Sequence, residues 1–107
     1  MISYKPNIFK NKTILVTGGT GTLGRNFIKF ALQNLNFKKI IVYSRDEQKH
    51  FKMKNLMNSR KLRFFLGDVR DYERLLFAMK EVDFVVHAAA NKHCLLYTSD
   101  AADDSLR

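Results

Sequence analysis

Glycine is concentrated in residues 17–24, a stretch that reads Thr-Gly-Gly-Thr-Gly-Thr-Leu-Gly. The apolar run Ile14-Leu15-Val16 precedes it, and an amphipathic segment begins near Leu23. A glycine-rich turn between a strand and a helix holds a pyrophosphate, because the first helical turn offers free N–H groups and a partial positive charge. The stretch therefore predicts a binding site for a dinucleotide.

The glycines of this turn have separate expected tasks. Gly18 allows a tight turn, Gly21 lets the backbone approach the phosphates without a Cβ in the way, and Gly24 lets the helix pack closely on the strand. The residues of this stretch that are predicted to contact the cofactor are Gly18, Thr20, Gly21, Thr22, Leu23 and Gly24.

The end of the second predicted strand bears on the choice of cofactor. In NAD-binding folds of this kind, an acidic residue about twenty positions after the glycines accepts hydrogen bonds from the ribose 2′-OH. This chain has Ser44 and Arg45 there. A guanidinium holds a 2′-phosphate with two charge-assisted bonds, and Lys49 adds a second positive charge, so the pattern favours NADP. The alternative is that Arg45 is a solvated loop residue and Asp46 binds the ribose of NAD.

A carboxylate and an apolar side chain stand where the third predicted strand ends, in the run Gly67-Asp68-Val69. Asp68 is predicted to accept a hydrogen bond from the adenine amino group, and Val69 is predicted to cover the adenine ring. The alternative role for Asp68 is to cap the helix that follows.

Small residues follow the fourth predicted strand. Ala88, Ala89 and Ala90 suit a backbone that passes close to the nucleotide, although small residues also suit plain sheet packing. In the loop beyond them, Lys92 is expected to contact a phosphate of the substrate or cofactor.

The three histidines are the remaining candidates for chemistry. His87 lies inside an apolar strand and is expected to be a hydrogen-bonded core residue rather than a base. His50 lies on a charged helix and is expected to be solvated. His93 is expected to face the cleft beside Lys92.

Apolar runs and helical periodicity alternate along the chain. Strands are predicted at 13–17, 39–44, 62–67 and 82–88, and helices at 23–35, 46–57 and 71–80, with Asp71 as the N-cap of the last. The order β-α-β-α-β-α-β implies an α/β fold, a Rossmann-like doubly wound parallel sheet with strand order 3-2-1-4. The ligand is expected beyond the carboxyl ends of the strands, between the first strand and the fourth.

Composition narrows the classes of protein that fit. The 107 residues leave room for one domain, and the formal charge of +9 would suit a nucleic acid. The basic residues lack interleaved aromatics, so solvated charges and no nucleic-acid partner are expected. The sequence has no apolar run long enough to span a membrane and no signal-peptide core, which predicts a cytoplasmic protein. The single Cys94 offers neither a disulfide nor a metal site.

Four blocks, residues 17–24, 41–47, 65–71 and 82–90, carry a family resemblance that covers residues 9–93. They resemble the extended short-chain dehydrogenase/reductases and are most similar to bacterial inverting UDP-N-acetylglucosamine 4,6-dehydratases and to nucleotide-sugar epimerases of polysaccharide biosynthesis. The resemblance implies a homo-oligomeric parent enzyme, a lyase or epimerase, that acts on a nucleotide sugar and retains NADP. In such a dehydratase, hydride leaves C4 of the sugar, water is lost across C5 and C6, and hydride returns to C6.

The resemblance also implies catalytic residues that this chain does not contain. In the family, a Tyr-x-x-x-Lys pair and an acid/base Asp-Lys pair lie well past the position that matches residue 93. Four positions after Tyr97 stands Ala101 rather than a lysine, so Tyr97 cannot take the place of the family's tyrosine. The chain is therefore expected to be the cofactor-binding fragment of such an enzyme, without catalytic activity of its own, and the alternative is a non-catalytic NADP-binding module.

Residues 94–107 break the resemblance abruptly. Their beginning, Cys-Leu-Leu-Tyr-Thr-Ser-Asp-Ala-Ala-Asp, resembles the translation of an adapter used in DNA library preparation. The expected organisation is a partial Rossmann domain at 1–93 and an adapter-derived tail at 94–107, and the alternative is a genuine disordered acidic tail. Without a fifth strand beside it, the apolar edge of the fourth strand is expected to lie exposed, so that the fragment aggregates or binds the cofactor poorly.

Overall fold

The computed structural model describes residues 8–88 and the backbone of residues 95–98. The strands are β1 (Thr13–Thr17), β2 (Lys39–Ser44), β3 (Leu62–Leu66), β4 (Phe84–His87) and β5 (Leu95–Thr98), and the helices are α1 (Thr22–Asn34), α2 (Glu47–Met57) and α3 (Tyr72–Ala78). The predicted strands and helices are confirmed, with small differences at their ends. None of these helices is both long and apolar enough to span a bilayer.

The strands form one sheet in the order β3-β2-β1-β4-β5. β1 to β4 run parallel, which confirms the predicted order 3-2-1-4. β1 lies between β2 and β4, and all 5 of its residues are buried. Val16 of β1 pairs with Val42 on one side and with Val86 on the other, as expected for a central strand of a parallel sheet that is covered on both faces.

The edge of β4 is covered by β5, which lies within residues 94–107. The pairing is antiparallel, with Phe84 opposite Thr98 and His87 opposite Leu95. The expectation of an exposed β4 edge is therefore wrong. Unpaired N–H and C=O groups along a strand edge bond an extended segment that reaches them, and the run Leu-Leu-Tyr-Thr has residue types that favour a strand.

The sheet separates two apolar cores. Successive residues of β1 point to opposite faces, so Ile14 and Val16 belong to one core and Leu15 to the other. Ile28 of α1 packs in the first core, and Leu75 of α3 packs in the second. The helices on both faces hold the carboxyl ends of the parallel strands along one edge of the sheet.

The helix beginnings differ in how they are capped. The Asp46 carboxylate accepts the N–H of Lys49 at 3.1 Å at the start of α2, and Asp71 accepts that of Arg74 at 3.2 Å at the start of α3. The cap predicted at Asp71 is thus confirmed. The N-cap of α1 is Gly21, which has no side chain to form a cap, and the first turn of α1 contains no acidic residue.

His50 of α2 is buried, with 8% of its surface exposed, and is not solvated as predicted. Its ring lies 5.3 Å from that of Phe64, centroid to centroid. Within the described part of the chain, its Nε2 atom has no hydrogen-bond partner. Burial lowers the pKa of His50, although the carboxylates of Asp46 and Glu47 oppose this shift.

Candidate functional site

A cleft of about 510 Å³ lies beyond the carboxyl ends of β1 to β4. Its lining includes the predicted cofactor residues Gly18, Thr20, Gly21, Ser44, Arg45, Lys49, Asp68, Val69 and Ala88. Thr22, Leu23 and Gly24 belong to α1 beside this lining, whereas Ala89, Ala90, Lys92 and His93 lie outside the described residues. The cleft is where a doubly wound sheet holds its ligand, because the strand order reverses between β1 and β4.

The glycine turn leaves β1 at Gly18, whose φ of 66° is left-handed and favours glycine. The N–H of Gly21 donates to the carbonyl of Gly18 at 3.1 Å. These contacts confirm the tight turn predicted at Gly18. Among the described atoms, a Cβ at Gly21 would meet the Gly18 oxygen at an ordinary contact distance of 3.5 Å. The protein itself therefore leaves room beside Gly21 for a ligand.

Two other glycines of the turn are required for packing. A Cβ at Gly24 would lie 2.5 Å from the carbonyl oxygen of Gly18, so α1 packs against the turn itself at this point. The prediction that Gly24 packs the helix on the strand is therefore wrong. The close approach to a strand belongs to Gly19, where a Cβ would lie 2.8 Å from Cγ1 of Val42 in β2. The spacing of the glycines alone does not distinguish these two roles.

The first turn of α1 lies beside the cleft and has backbone N–H groups without an acceptor in the helix. The N–H of Arg25 bonds to the carbonyl of Gly21 at 2.9 Å, one turn back along the helix. Helix geometry leaves the N–H groups of Thr22, Leu23 and Gly24 without such an acceptor. The side chains of Thr22 and Leu23 are exposed, so their predicted contribution is one of backbone amides, which suit phosphate oxygens at the positive end of a helix.

Two buried hydroxyls join the glycine turn to the end of β2. Oγ1 of Thr20 and Oγ of Ser44 lie 3.0 Å apart, and both residues are buried. Oγ of Ser44 also accepts the N–H of Asp46 at 3.2 Å. These bonds fix the backbone on either side of Arg45 relative to the glycine turn.

Three charged residues that border the cleft, Asp68, Arg45 and Arg70, form what we call the Asp68 cluster. Arg70 donates to both carboxylate oxygens of Asp68, from Nε to Oδ1 at 3.1 Å and from Nη2 to Oδ2 at 2.8 Å. Nη1 of Arg45 lies 3.3 Å from Oδ2, and the Arg45 side chain is 72% exposed. Hydrogen bonds from Arg70 hold the pKa of Asp68 well below its usual range, so Asp68 is ionised at neutral pH.

Asp68 does not cap α3, because Asp71 occupies that position, and the alternative role for Asp68 is wrong. Sequence reasoning missed Arg70, for which the run Gly67-Asp68-Val69-Arg70-Asp71 held a signal. An aspartate readily accepts the N–H of the residue two positions later in a turn. Oδ1 of Asp68 accepts the Arg70 N–H in this way at 2.9 Å. The predicted bond from Asp68 to adenine stays a prediction.

Tyr43 of β2 supports the turn that carries Asp68. Its side chain is fully buried, and its hydroxyl donates to the main-chain carbonyl of Asp68 at 2.9 Å. A Cβ at Gly67 would lie 2.5 Å from this hydroxyl, so only glycine permits the approach. Burial raises the pKa of Tyr43, which keeps the hydroxyl protonated as a donor. This role of Tyr43 was not predicted from the sequence, although a single tyrosine near the end of an aliphatic strand was a signal for it.

His87 is bonded as predicted for a core histidine. Its Nδ1 lies 2.6 Å from Oγ1 of Thr17, which joins the carboxyl ends of β4 and β1. His87 is half-buried and borders the cleft. The next residue, Ala88, is buried, and its N–H donates to the carbonyl of Thr17 at 2.9 Å. The two residues thus line the cleft where β1 and β4 end.

These groups fit a dinucleotide. The open space at Gly21 and the amides of α1 suit a pyrophosphate, and the cations of Arg45 and Lys49 suit a further phosphate on the β2 side. Among the described residues, no group of three or more His, Cys, Asp or Glu side chains is placed to hold a metal ion.

Comparison with known proteins places the chain in a family. The family model described as polysaccharide biosynthesis protein matches residues 14–102. The chain is 56% identical over 86 residues to the UDP-N-acetylglucosamine 4,6-dehydratase (inverting) of Campylobacter jejuni, a match that covers 80% of this chain and 26% of that protein. It is 40% identical over 105 residues to the UDP-glucose 4-epimerase of Rickettsia bellii, covering 92% of this chain and 31% of the relative.

A solved structure shares the fold. The dTDP-glucose 4,6-dehydratase of Bacillus anthracis, in complex with NAD, matches with a TM-score of 0.64 and 31% identity, over 75% of this chain and 27% of the other. The chain spans only 26% of the length of the C. jejuni dehydratase. The matched residues include the glycine turn, the end of β2 and the Asp68 cluster. This chain therefore belongs to the polysaccharide biosynthesis protein family, within the extended short-chain dehydrogenase/reductases that its motifs resemble.

Proposed function

We propose that this chain is the NADP-binding part of a nucleotide-sugar 4,6-dehydratase that acts on UDP-N-acetylglucosamine in bacterial polysaccharide or glycan biosynthesis. The observation that carries the proposal is the position of Arg45, which borders the same cleft as the glycine turn. The identity of 56% to a dehydratase of that name supports the substrate.

NADP is proposed over NAD because of the charges at the end of β2. Arg45 and Lys49 are exposed cations that border the cleft. Asp46, the alternative ligand for the ribose of NAD, already accepts the N–H of Lys49 as the cap of α2. A 2′-phosphate would gain two charge-assisted bonds from a guanidinium, whereas a bare ribose offers these cations no charged group to bind.

Each group of predicted cofactor residues has a proposed task. The chemistry that the dinucleotide supplies when bound is reversible hydride transfer. The backbone from Gly18 to Gly24 would bind the pyrophosphate, and Ser44, Arg45 and Lys49 would bind the 2′-phosphate. Asp68 and Val69 would contact the adenine. The small residues Ala88, Ala89 and Ala90 would let the backbone pass close to the nucleotide, and Lys92 would bind a phosphate.

The catalytic step is assigned to a longer protein. The chain spans 26% of the length of its C. jejuni relative, and the Tyr-x-x-x-Lys and Asp-Lys pairs that the family resemblance implies would lie in the remainder. By itself, this chain would bind the cofactor and leave the sugar unchanged. The parent protein is proposed to be a cytoplasmic homo-oligomer.

A nucleotide-sugar epimerase is the second candidate. The 40% identity to a UDP-glucose 4-epimerase, over 92% of this chain, favours it. Both activities use the same cofactor-binding half, so the residues of the cleft suit either. Assay of the full-length gene product on UDP-N-acetylglucosamine separates them, because only a dehydratase forms a 4-keto-6-deoxy sugar.

We also propose that residues 1–93 are the family-derived part of the chain and that residues 94–107 derive from an adapter. Sequencing the source locus tests this division. A genomic sequence that encodes Cys94-Leu95-Leu96 would overturn it, whereas a genomic sequence that departs after His93 would support it.

The cofactor proposal is tested by titrating the full chain against NADPH and NADH and following the fluorescence of the dinucleotide. Saturable binding is expected, and Arg45→Ala is expected to weaken NADPH by about tenfold more than NADH, since a bond between charged groups is lost. Lys52→Ala, an exposed α2 residue that does not border the cleft, is the matched control and should change neither. Equal losses for both cofactors would remove the 2′-phosphate assignment. Binding of RNA with no response to NADPH would favour a nucleic-acid protein instead.

A further inference from the structure

The carboxylate of Asp68 already accepts four N–H groups. Oδ1 accepts the backbone N–H of Arg70 at 2.9 Å and its Nε–H at 3.1 Å. Oδ2 accepts Nη2–H of Arg70 at 2.8 Å and Nη1–H of Arg45 at 3.3 Å. A carboxylate offers about four acceptor positions. Asp68 therefore has no acceptor position to give to a ligand while all four bonds are present.

The four bonds are not equivalent. Arg70 makes three of them from the same turn of chain, two residues after Asp68. Arg45 makes the fourth as a single bond from the end of β2, at the longest distance, and both arginine side chains are mostly exposed, 72% for Arg45 and 77% for Arg70. An exposed ion pair of this kind is weak. The bond to Arg45 is therefore the one that a competing anion can displace.

We infer that the 2′-phosphate and the adenine amino group bind in a linked exchange at the Asp68 cluster. The 2′-phosphate draws Arg45 away from Asp68, and the acceptor position that Arg45 leaves on Oδ2 is then open to the adenine amino group. Arg70 stays on Asp68 as a positioning residue that holds the carboxylate in one orientation. This inference rests on the proposed binding of NADP.

The exchange conserves the pairing of charges. Arg45 gives up one oxygen of a singly charged carboxylate and gains a more highly charged phosphate that suits the guanidinium fork. Asp68 gives up one N–H donor and gains another, so neither group is left without a partner. Without a 2′-phosphate, as in NADH, Arg45 has no anion to move to and Asp68 stays fully occupied. The amino group of the adenine should then contribute little to affinity.

The test measures the amino group's contribution in the presence and absence of the 2′-phosphate. The full chain is titrated with NADPH, NADH and their deamino analogues, in which hypoxanthine replaces adenine. Loss of the amino group is expected to weaken the NADPH form by about ten- to a hundredfold, as for a bond to a charged acceptor, and to leave the NADH form within about twofold. An equal effect of deamination on both forms would overturn the inference.

Variants locate the coupling. In Arg45→Gln, the acceptor position on Asp68 is free from the start, so deamination should weaken both forms equally. Lys52→Gln, the exposed control away from the cleft, should retain the wild-type difference. A difference that persists unchanged in Arg45→Gln would show that the coupling does not run through Arg45.

A second measurement keeps the inference testable if the variant does not fold. In the wild-type chain, ¹⁵N spectra of the arginine side chains should show that NADPH shifts the Nε–H signal of Arg45 and leaves that of Arg70 in place, whereas NADH shifts neither. Movement of both signals together would overturn the exchange. Failure of the chain to bind any of the four dinucleotides would instead count against the proposed function, so the two failures are distinguishable.

Discussion

The hydroxyl of Tyr43, buried in the core on one face of the sheet, donates a hydrogen bond of 2.9 Å to the main-chain carbonyl of Asp68 at the edge of the cleft. A core side chain of β2 thus fixes the turn after β3. The carboxylate of Asp68, after β3, can then contact Arg45, which lies two residues after Tyr43 at the end of the neighbouring strand β2. Packing in the core and the placement of charge at the cleft are linked through this one hydroxyl.

Tyr43→Phe is expected to lower the free energy of unfolding by about 1 kcal/mol, the net worth of a buried hydrogen bond whose acceptor is left unpaired. The loosened Asp68 turn should also weaken NADPH binding. Urea denaturation followed by circular dichroism measures the stability. Tyr72→Phe is the matched control, since the Tyr72 side chain is 65% exposed. A loss of similar size in both variants would show that the Tyr43 bond is not the cause.

Two glycines of the same turn should separate folding from binding. Gly24→Ala places a Cβ 2.5 Å from the Gly18 oxygen, and this overpacking should cost about 2 kcal/mol of unfolding free energy. Gly21→Ala meets only an ordinary contact at 3.5 Å, so it should fold normally and lose affinity for NADPH. Thermal melts and fluorescence titrations of both variants test the contrast. Normal NADPH affinity in Gly21→Ala would contradict the approach of phosphates to that residue.

The cap of α3 should contribute to stability without contributing to binding. Asp71→Ala removes the bond to the N–H of Arg74 and is expected to cost about 1 kcal/mol. Asp71→Asn keeps an oxygen in place and should restore most of the loss. Chemical denaturation gives both values. If alanine and asparagine are equally destabilising, the charge of Asp71 rather than its capping bond is responsible.

The parallel sheet could be predicted because its signals are local. Apolar runs such as Ile14-Leu15-Val16, the glycine turn and the cap at Asp71 each specify their own element, and alternation of strands and helices fixes the topology. β5 could not be predicted in this way. Its pairing with β4 depends on which extended segment reaches a free strand edge, and nothing in the sequence of β4 specifies it.

The charged residues of the cleft were only partly predictable. Arg45 could be found because its distance from the glycines along the chain has a known meaning. The run around Arg70 indicated only its main-chain bond to Asp68, because its side-chain bonds depend on the shape of a turn that Tyr43 holds from the core. His50 was misjudged by its charged neighbours, although it lies three residues before Met53, a spacing that places both on the buried face of α2.

His50 should make the stability of the fold depend on pH. Its burial lowers its pKa in the folded chain, more than the carboxylates of Asp46 and Glu47 raise it. In the unfolded chain its pKa is near the ordinary value of 6.5. Below that value the unfolded chain binds more protons at His50 than the folded chain, so the contribution of His50 to the free energy of unfolding falls as the pH falls. Above it, both states hold a neutral ring and the effect vanishes.

His50→Leu removes this titration and keeps an apolar group against Phe64. The variant and the wild type share every carboxylate, so the difference between their unfolding free energies isolates His50. That difference should shift in favour of the variant as the pH is lowered from 7.5 to 5 and should be constant above neutral pH. Denaturant titrations at several pH values measure it. Parallel curves for the two proteins across this range would mean that His50 is protonated as easily in the fold as in the unfolded chain, which its burial beside Phe64 argues against.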